Sequence, residues 1–248
     1  MMLSRDVTSD RATHPAPSNC LTRTELLQRY DNGQRLFWNQ DLSDLNLHEA
    51  ELPGSQFIEC ILEAIDLRFA NLQGADLLFC DLVTAQLSGA NLTAANLSGS
   101  DCMGADFDGV QLAGGLLIGT DLRAVDLTDV NLAGADLSAA DLSAAHLTQA
   151  CLNGAVMTGA KLESTTIHSS SLDKANLDNA NVRWAQFFES SLQACNFRNT
   201  DLRYTHFTRV VGNEAALSHP TRLRRDHSPQ PHQVTRQTVL LPCSPSMG

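Results

Sequence analysis

The stretch VNLAGADLSAADLSA, residues 130–144, is three near-copies of one five-residue unit, and that unit decides the fold. Working outward from it, a bulky apolar residue recurs at every fifth position from Leu42 to Phe207 without a slip of register. These are 34 units with Leu at 25 of the centres, and only Cys102 leaves the large apolar set. Two positions before each centre, 31 of the 34 residues between Gln40 and Thr205 are Ala, Ser, Cys, Gly, Thr or Val, and the exceptions Gln40, Leu45 and Ile65 fall at the start. Asp or Asn dominates the position just before the centre, as in A-D-L-S-A at Ala135 to Ala139 and A-N-L-S-G at Ala95 to Gly99.

A period of five matches neither the helical 3.6 nor the strand 2, so neither an amphipathic helix nor an ordinary sheet holds all these leucines on one buried face. Self-similarity at fixed spacing marks a solenoid, whose units are too small to bury an apolar face alone and stack into one continuous core. The A-[DN]-L-x-x units resemble the pentapeptide repeat family over about two thirds of the chain. That resemblance implies an all-β fold, a right-handed quadrilateral β-helix. Four units make a coil, the centre and the small residue point inward, and the other three point outward. With coils about 4.8 Å apart, the rod is expected to be about 40 Å long.

Four segments are expected: a disordered N-terminus at 1–20, a capping helix and first degenerate unit at 21–41, the rod at 42–211, and a disordered Pro/His/Arg-rich tail at 212–248. Thr22 and Glu25 form the signature of a capping box, Leu21 can staple to Leu26, and Gly33 ends the helix. Its task is to cover the open edge of the first coil, with Trp38 placed to help. The string from Glu25 to Phe37 is similar to the openings of cyanobacterial members of the family. The chain lacks a long apolar run and an apolar leader, and it reads as cytoplasmic with no membrane partner. Seven cysteines without a C-x-x-C pair suggest neither zinc nor a redox motif, and Cys60 and Cys80, 20 apart at the small inward position, are expected to be stacked free thiols. His219, His227 and His232 in the tail lack the packed scaffold of a metal site, and no cofactor is expected.

Charge is distributed unevenly. Residues 41–141 hold 17 Asp or Glu against Arg68 and Arg123, a net of −15, whereas residues 142–211 hold five acids and six bases. At 20 residues per coil, Asp81, Asp101, Asp121 and Asp141 form a ladder of carboxylates with rungs about 5 Å apart. Asp before the centre suits turns, because its side chain bonds nearby backbone. The series Glu51, Asn71, Asn91, Gln111, Asn131, Cys151, Ser171 and Ser191 on another face, neutral after Glu51, shows that Asp is not compulsory. A functional ladder would imitate phosphates or engage a basic partner.

Outward apolar residues are the other candidate surface. Ile58, Leu78 and Ile118 share one face, with Phe79 and Leu116 beside them. Near the other end Trp184 and Tyr204 stand one coil apart, with Phe188 close in sequence and Arg183, Arg198, Arg203 and Arg209 around them. Aromatics with arginines are the usual composition of a contact site, although Trp184 can equally shield the final coils.

Catalytic motifs are absent: there is no G-x-S-x-G, H-E-x-x-H or G-x-x-x-x-G-K. His146 falls one coil after Asp126, which suggests a surface hydrogen bond, and Cys151 is placed outward and open to modification. The chain therefore reads as a non-catalytic protein-interaction module or regulatory scaffold with no direct nucleic-acid contact. Any homodimer is expected to join through an end of the rod. The alternative implied by the resemblance is an acidic DNA mimic that binds a type II topoisomerase. Such members usually carry a C-terminal dimerisation helix, whereas here the tail is Pro-rich and the acidic charge fades over the last coils.

Overall fold

A computed structural model describes residues 21–212, so the expectations for 1–20 and 213–248, including the tail histidines, lie outside the described residues. Helix α1 (Arg23–Asp31) precedes nine short strands: β1 (Leu36–Trp38), β2 (Gln56–Ile58), β3 (Asp76–Leu78), β4 (His146–Thr148), β5 (Thr166–His168), β6 (Gln186–Phe188), β7 (Ser191–Leu192), β8 (His206–Thr208) and β9 (Val211–Gly212). All pair in parallel with a shift of 20 residues: Phe37 faces Phe57, Phe57 faces Leu77, and Phe187 faces Phe207. Single bridges carry the same register through the middle coils, as in Asp81, Asp101, Asp121 and Asp141. The result is a β-helix of about nine coils with one short helix at its start.

Each coil turns four corners, and the corner residue sits two positions past each centre. All 35 such residues from Asn39 to Arg209 have left-handed φ, between +49° and +71°. Eleven are Gly and 24 are not, so glycine is not the condition for turning. The ladder and the buried leucines over-determine a conformation that strains an L-residue by roughly 1–2 kcal/mol. The Asp or Asn before the centre helps: Asp81 Oδ1 accepts from Val83 N at 3.1 Å and Asn131 Oδ1 from Ala133 N at 3.2 Å, an Asx turn repeated along the rod.

The centres and small residues fill a thin core, with Leu132, Leu137 and Leu142 fully buried and Phe37 stacked on Phe57 at 5.2 Å. Most polar small residues are satisfied by the coil below. The hydroxyls of Ser100, Thr165 and Thr200 donate to the carbonyls of Leu77, Leu142 and Leu177, each 23 residues earlier. Cys60 and Cys80 are buried free thiols that bond the carbonyls of Phe37 and Phe57 in the same way. Burial holds the Cys195 thiol up at about 12.

Two kinds of corner occur. In most, the small residue's N–H closes the turn on the centre's carbonyl, as Ala75 N does on Leu72 O at 2.9 Å. After β3, β4 and β5 the corner is open, and the free N–H is bonded by a serine on the next coil: Cys80 N to Ser100 Oγ, Ala150 N to Ser170 Oγ, and Ser170 N to Ser190 Oγ.

At the N-terminal end, Thr22 and Glu25 complete the capping box, and Leu26 and Tyr30 are buried under the first coil. The helix also meets the first coil's unpaired carbonyls: Arg23 donates to Asn46 O and His48 O, and Tyr30 Oη donates to Pro53 O at 2.7 Å. At the other end Leu202 and Phe207 are only partly covered by the described residues.

Candidate interaction faces

The 20-residue register sorts every outward side chain onto one of four faces, met in chain order within each coil. The face centred on Phe37, Phe57 and Leu77 is followed by the one centred on Leu42 and Leu62, then Leu47 and Leu67, then Leu52 and Leu72.

The first of these faces carries an apolar stripe beside Gln56, Asp76, Asn96 and Asp136 in the column before the centres. In the sheet of β1, β2 and β3 the residues after each centre stand in register, Trp38 against Ile58 and Ile58 against Leu78. Leu36 is exposed at the head of the same face, and Leu116, Ile118 and Val156 are exposed further along it. At its corner Phe79 is 64% exposed, and a Cβ added at Gly99, one coil on, would meet its ring at 2.5 Å. Phe69 and Gly89 repeat this arrangement at another corner, again at 2.5 Å. A large ring at positive φ that lies on a glycine is strain spent on an exposed aromatic surface. The predicted Ile58, Leu78, Phe79 and Ile118 are thus brought together. Trp38 is a correction: it does not shield the coil edge but stands 58% exposed at the head of the stripe. Its position, 20 residues before Ile58, was the available signal.

The second face carries the acidic ladder, in register as expected. Its carboxylates are not equivalent. Arg123 pairs with Asp121 through Nε and Nη2 at 2.8 and 2.6 Å, and its hydrogen bonds hold that carboxyl below the usual range. Burial pulls Asp141 upward, but bonds from Ser143 and Lys161 more than reverse it, and Lys161 Nζ lies 3.2 Å from its Oδ2. Asp81 and Asp101 have no ion-pair partner among the described residues. All four carboxylates accept the Asx bond, from Val83, Met103, Arg123 and Ser143.

Trp184 and Tyr204 lie at the far end of the same face and stack at 4.0 Å with planes 9° apart, both half exposed and both at positive φ. Phe188 is separate, on the third face, against His168 at 5.0 Å and below Arg209. The Trp184 pair and the Ile58 stripe are therefore two surfaces, with Phe188 part of neither. Asp126 and His146 are in register, but Asp126 Oδ1 accepts from Thr128 N and Oγ1, and no hydrogen bond joins it to His146 among the described residues. Cys151, expected to be open to modification, is buried in its column between Asn131 and Ser171. The sequence reading also passed over Asp106, Asp108 and Asp129, which lie with Asp126 on the third face. There burial and the neighbouring carboxylates raise the pKa of Asp108. The fourth face carries a ladder of amides in which Asn71 Nδ2 donates to the Glu51 carboxylate and Asn91 Nδ2 to Asn71.

Pentapeptide repeats match the chain in eight overlapping copies between residues 51 and 219. No curated protein sequence matches it. Among solved structures, it resembles HetL from the cyanobacterium Nostoc sp. strain PCC 7120, a pentapeptide repeat protein involved in heterocyst differentiation regulation. That similarity is 29% identity over 77% of this chain and 96% of that one, with a TM-score of 0.54. A trypsin-treated form of QnrB1, a plasmid-mediated fluoroquinolone resistance protein, is 17% identical over 73% and 93% with a TM-score of 0.47. A pentapeptide repeat protein of the Arabidopsis thaliana thylakoid lumen is 32% identical over 42% and 66%, with a TM-score of 0.32.

Proposed function

The chain belongs to the pentapeptide repeat family, and on that premise we propose that it is a non-catalytic scaffold that docks a protein partner on its apolar face. The observation that carries this reading is the stripe of Trp38, Ile58 and Leu78, in register on the sheet of β1, β2 and β3 and resumed past Ser98 at Ile118, where nothing in the fold requires apolar side chains. The likeness to HetL supports a regulatory role for such docking.

The topoisomerase-mimic alternative draws on the acidic ladder, and the geometry favours it less. Every ladder carboxylate has a turn to stabilise, and Asp121 and Asp141 are already paired with cations. Two variants separate the readings. Changing Asp81, Asp101, Asp121 and Asp141 together to Asn keeps shape and Asx bonding but removes four charges; changing Ile58 and Leu78 to Ser removes apolar contact. Partner capture should fall at least tenfold in the Ser variant and persist in the Asn variant. Inhibition of topoisomerase supercoiling by the parent, lost in the Asn variant, would reverse the assignment.

A further inference from the structure

The apolar stripe is not flanked evenly. Past its corner residues Glu59, Phe79 and Gly99 lie Ile61, Asp81 and Asp101 of the next face, and the two carboxylates are without an ion-pair partner among the described residues. On the opposite edge the corners are Gly54, Gly74, Ala94 and Gly114, small and uncharged. The column before the centres also holds Asp76 and Asp136, bonded by Gln56 and Ser138, so the docking surface carries acid on both sides and more of it on the edge of Asp81 and Asp101.

The shape limits what can occupy it. From Leu36 to Val156 there are six coil steps, about 29 Å, and the face is about 10 Å wide. A second copy laid face to face would bury on the order of 600 Å² in all on this stripe, below the roughly 1,000 Å² of a stable interface. An extended strand fits poorly too, since the backbone here is bonded coil to coil, as Asp76 N to Ser55 O and Leu77 N to Asn96 O, and offers no edge. A helix satisfies its own backbone, is about 10–12 Å across, and covers 29 Å in about 19 residues.

Resting on the scaffold reading above, we propose that the apolar face is a docking platform for an amphipathic helix of a partner protein, laid along the rod, with leucine-type anchors on Trp38, Ile58, Leu78 and Ile118 and lysine or arginine along the flank that meets Asp81 and Asp101. The more acidic edge then favours one direction of the helix, because a one-sided basic flank meets Asp81 and Asp101 in only one of the two antiparallel orientations.

The test uses the full chain carrying Trp184→Phe, which leaves Trp38 as the sole tryptophan and a reporter on the stripe. The probes are synthetic helical peptides of about 19 residues with a leucine stripe and one flank of Lys, Gln or Glu. The Lys peptide is expected to shift Trp38 emission to the blue and to bind about tenfold or more tightly than the Glu peptide, with the difference shrinking as salt rises. Asp81→Asn with Asp101→Asn should weaken the Lys peptide roughly two- to tenfold and leave the Gln peptide unchanged. Leu78→Ser with Ile118→Ser should weaken all three. Equal binding of the Lys and Glu peptides, or a blue shift with anionic phosphatidylglycerol vesicles but not with peptide, would overturn the proposal. If no peptide binds while partner capture still depends on Ile58 and Leu78, the helix inference fails and the scaffold stands; if capture is also indifferent to those residues, both fail.

Discussion

Ser100 and Ser55 occupy the same inward position of the repeat, yet truncating them should change stability in opposite directions. The Ser100 hydroxyl accepts from Cys80 N at 2.8 Å and donates to Leu77 O at 2.6 Å, across an open corner that leaves both groups without a turn bond. Ser100→Ala strands a buried N–H and a buried carbonyl. At about 1–3 kcal/mol for each unsatisfied group, the loss should be roughly 2–5 kcal/mol. Ser55 is fully buried and its hydroxyl has no partner, because the residue 23 positions earlier, Asn32, belongs to the helix cap and not to a coil. Its own N–H closes a normal turn on Leu52 O at 3.2 Å. Ser55→Ala therefore removes an unpaired polar group and should stabilise by about 1 kcal/mol.

Urea unfolding of the two variants and the parent, followed by far-ultraviolet circular dichroism, reads both signs. For an ordered region of this size the thermal midpoint should fall roughly 5–15 °C for Ser100→Ala and rise a few degrees for Ser55→Ala. Ser100→Cys supplies an internal control, since the Cys80 thiol already fills the equivalent place on the coil before, bonding Phe57 O at 3.2 Å. It should recover most of the loss. If Ser100→Ala lies within about 0.5 kcal/mol of the parent, or both alanines shift stability equally, the open-corner account is wrong.

Leu132→Ala, at a fully buried centre, should cost about 2–5 kcal/mol by urea titration while Thr128→Ala on the surface stays near neutral. Gly99→Ala should cost about 1–2 kcal/mol in the parent but less in a Phe79→Ala background, a coupling that a double-mutant cycle measures, since alanine is tolerated at the same φ at Ala94 and Ala139 and only the ring stands in the way. Acid titration should separate two classes of carboxylate. Hydrogen bonds from Arg68, Arg123 and Arg203 hold Asp66, Asp121 and Asp201 below the usual 3.8, so their stabilisation is complete above that pH and is lost as pH falls through the lower folded values. A triple Asn variant should be less stable than the parent at pH 7 and equal to it in strong acid. Burial and neighbouring carboxylates raise Asp108 above 3.8, so the opposite sign holds, and Asp108→Asn should stabilise at neutral pH and lose that advantage as pH falls.

The inward half of the molecule was legible in the sequence because packing repeats without exception: a period of five, a large and a small residue, and a 20-residue register placed Leu132, Cys60 and Cys80 correctly. The outward half was legible only where register arithmetic sufficed, as for Ile58 with Leu78 or Trp184 with Tyr204. Side-chain pairing was not legible, because it depends on which neighbour a flexible group chooses. Asp126 takes Thr128 rather than His146, and Arg123 and Lys161 neutralise half of a ladder that reads in sequence as four bare charges. Corner type was hidden as well. Nothing in the five-residue period distinguishes the open corner before Cys80 from the closed one before Ala75, and only the serine one coil later marks it.

This division explains why the apolar face is informative. In a solenoid the inward positions answer to the core and the corners answer to the backbone, so a residue just after a centre is constrained by neither. Ser98 and Ser138 on this face show that a small polar residue serves there. Trp38, Ile58, Leu78 and Ile118 are therefore choices that the fold did not demand. Phe79 goes further, accepting a left-handed backbone that a bulky residue adopts at a cost and resting on a glycine that makes room for its ring. Four such rings, Phe69, Phe79, Trp184 and Tyr204, stand at exposed corners, and only Phe79 adjoins both the apolar stripe and the two ladder carboxylates that lack an ion pair. If strain marks use, the junction at Phe79 is where a partner's apolar anchor and basic flank meet, and Phe79→Ala should weaken the lysine-flanked helix more than Phe69→Ala while both variants relieve the same backbone cost.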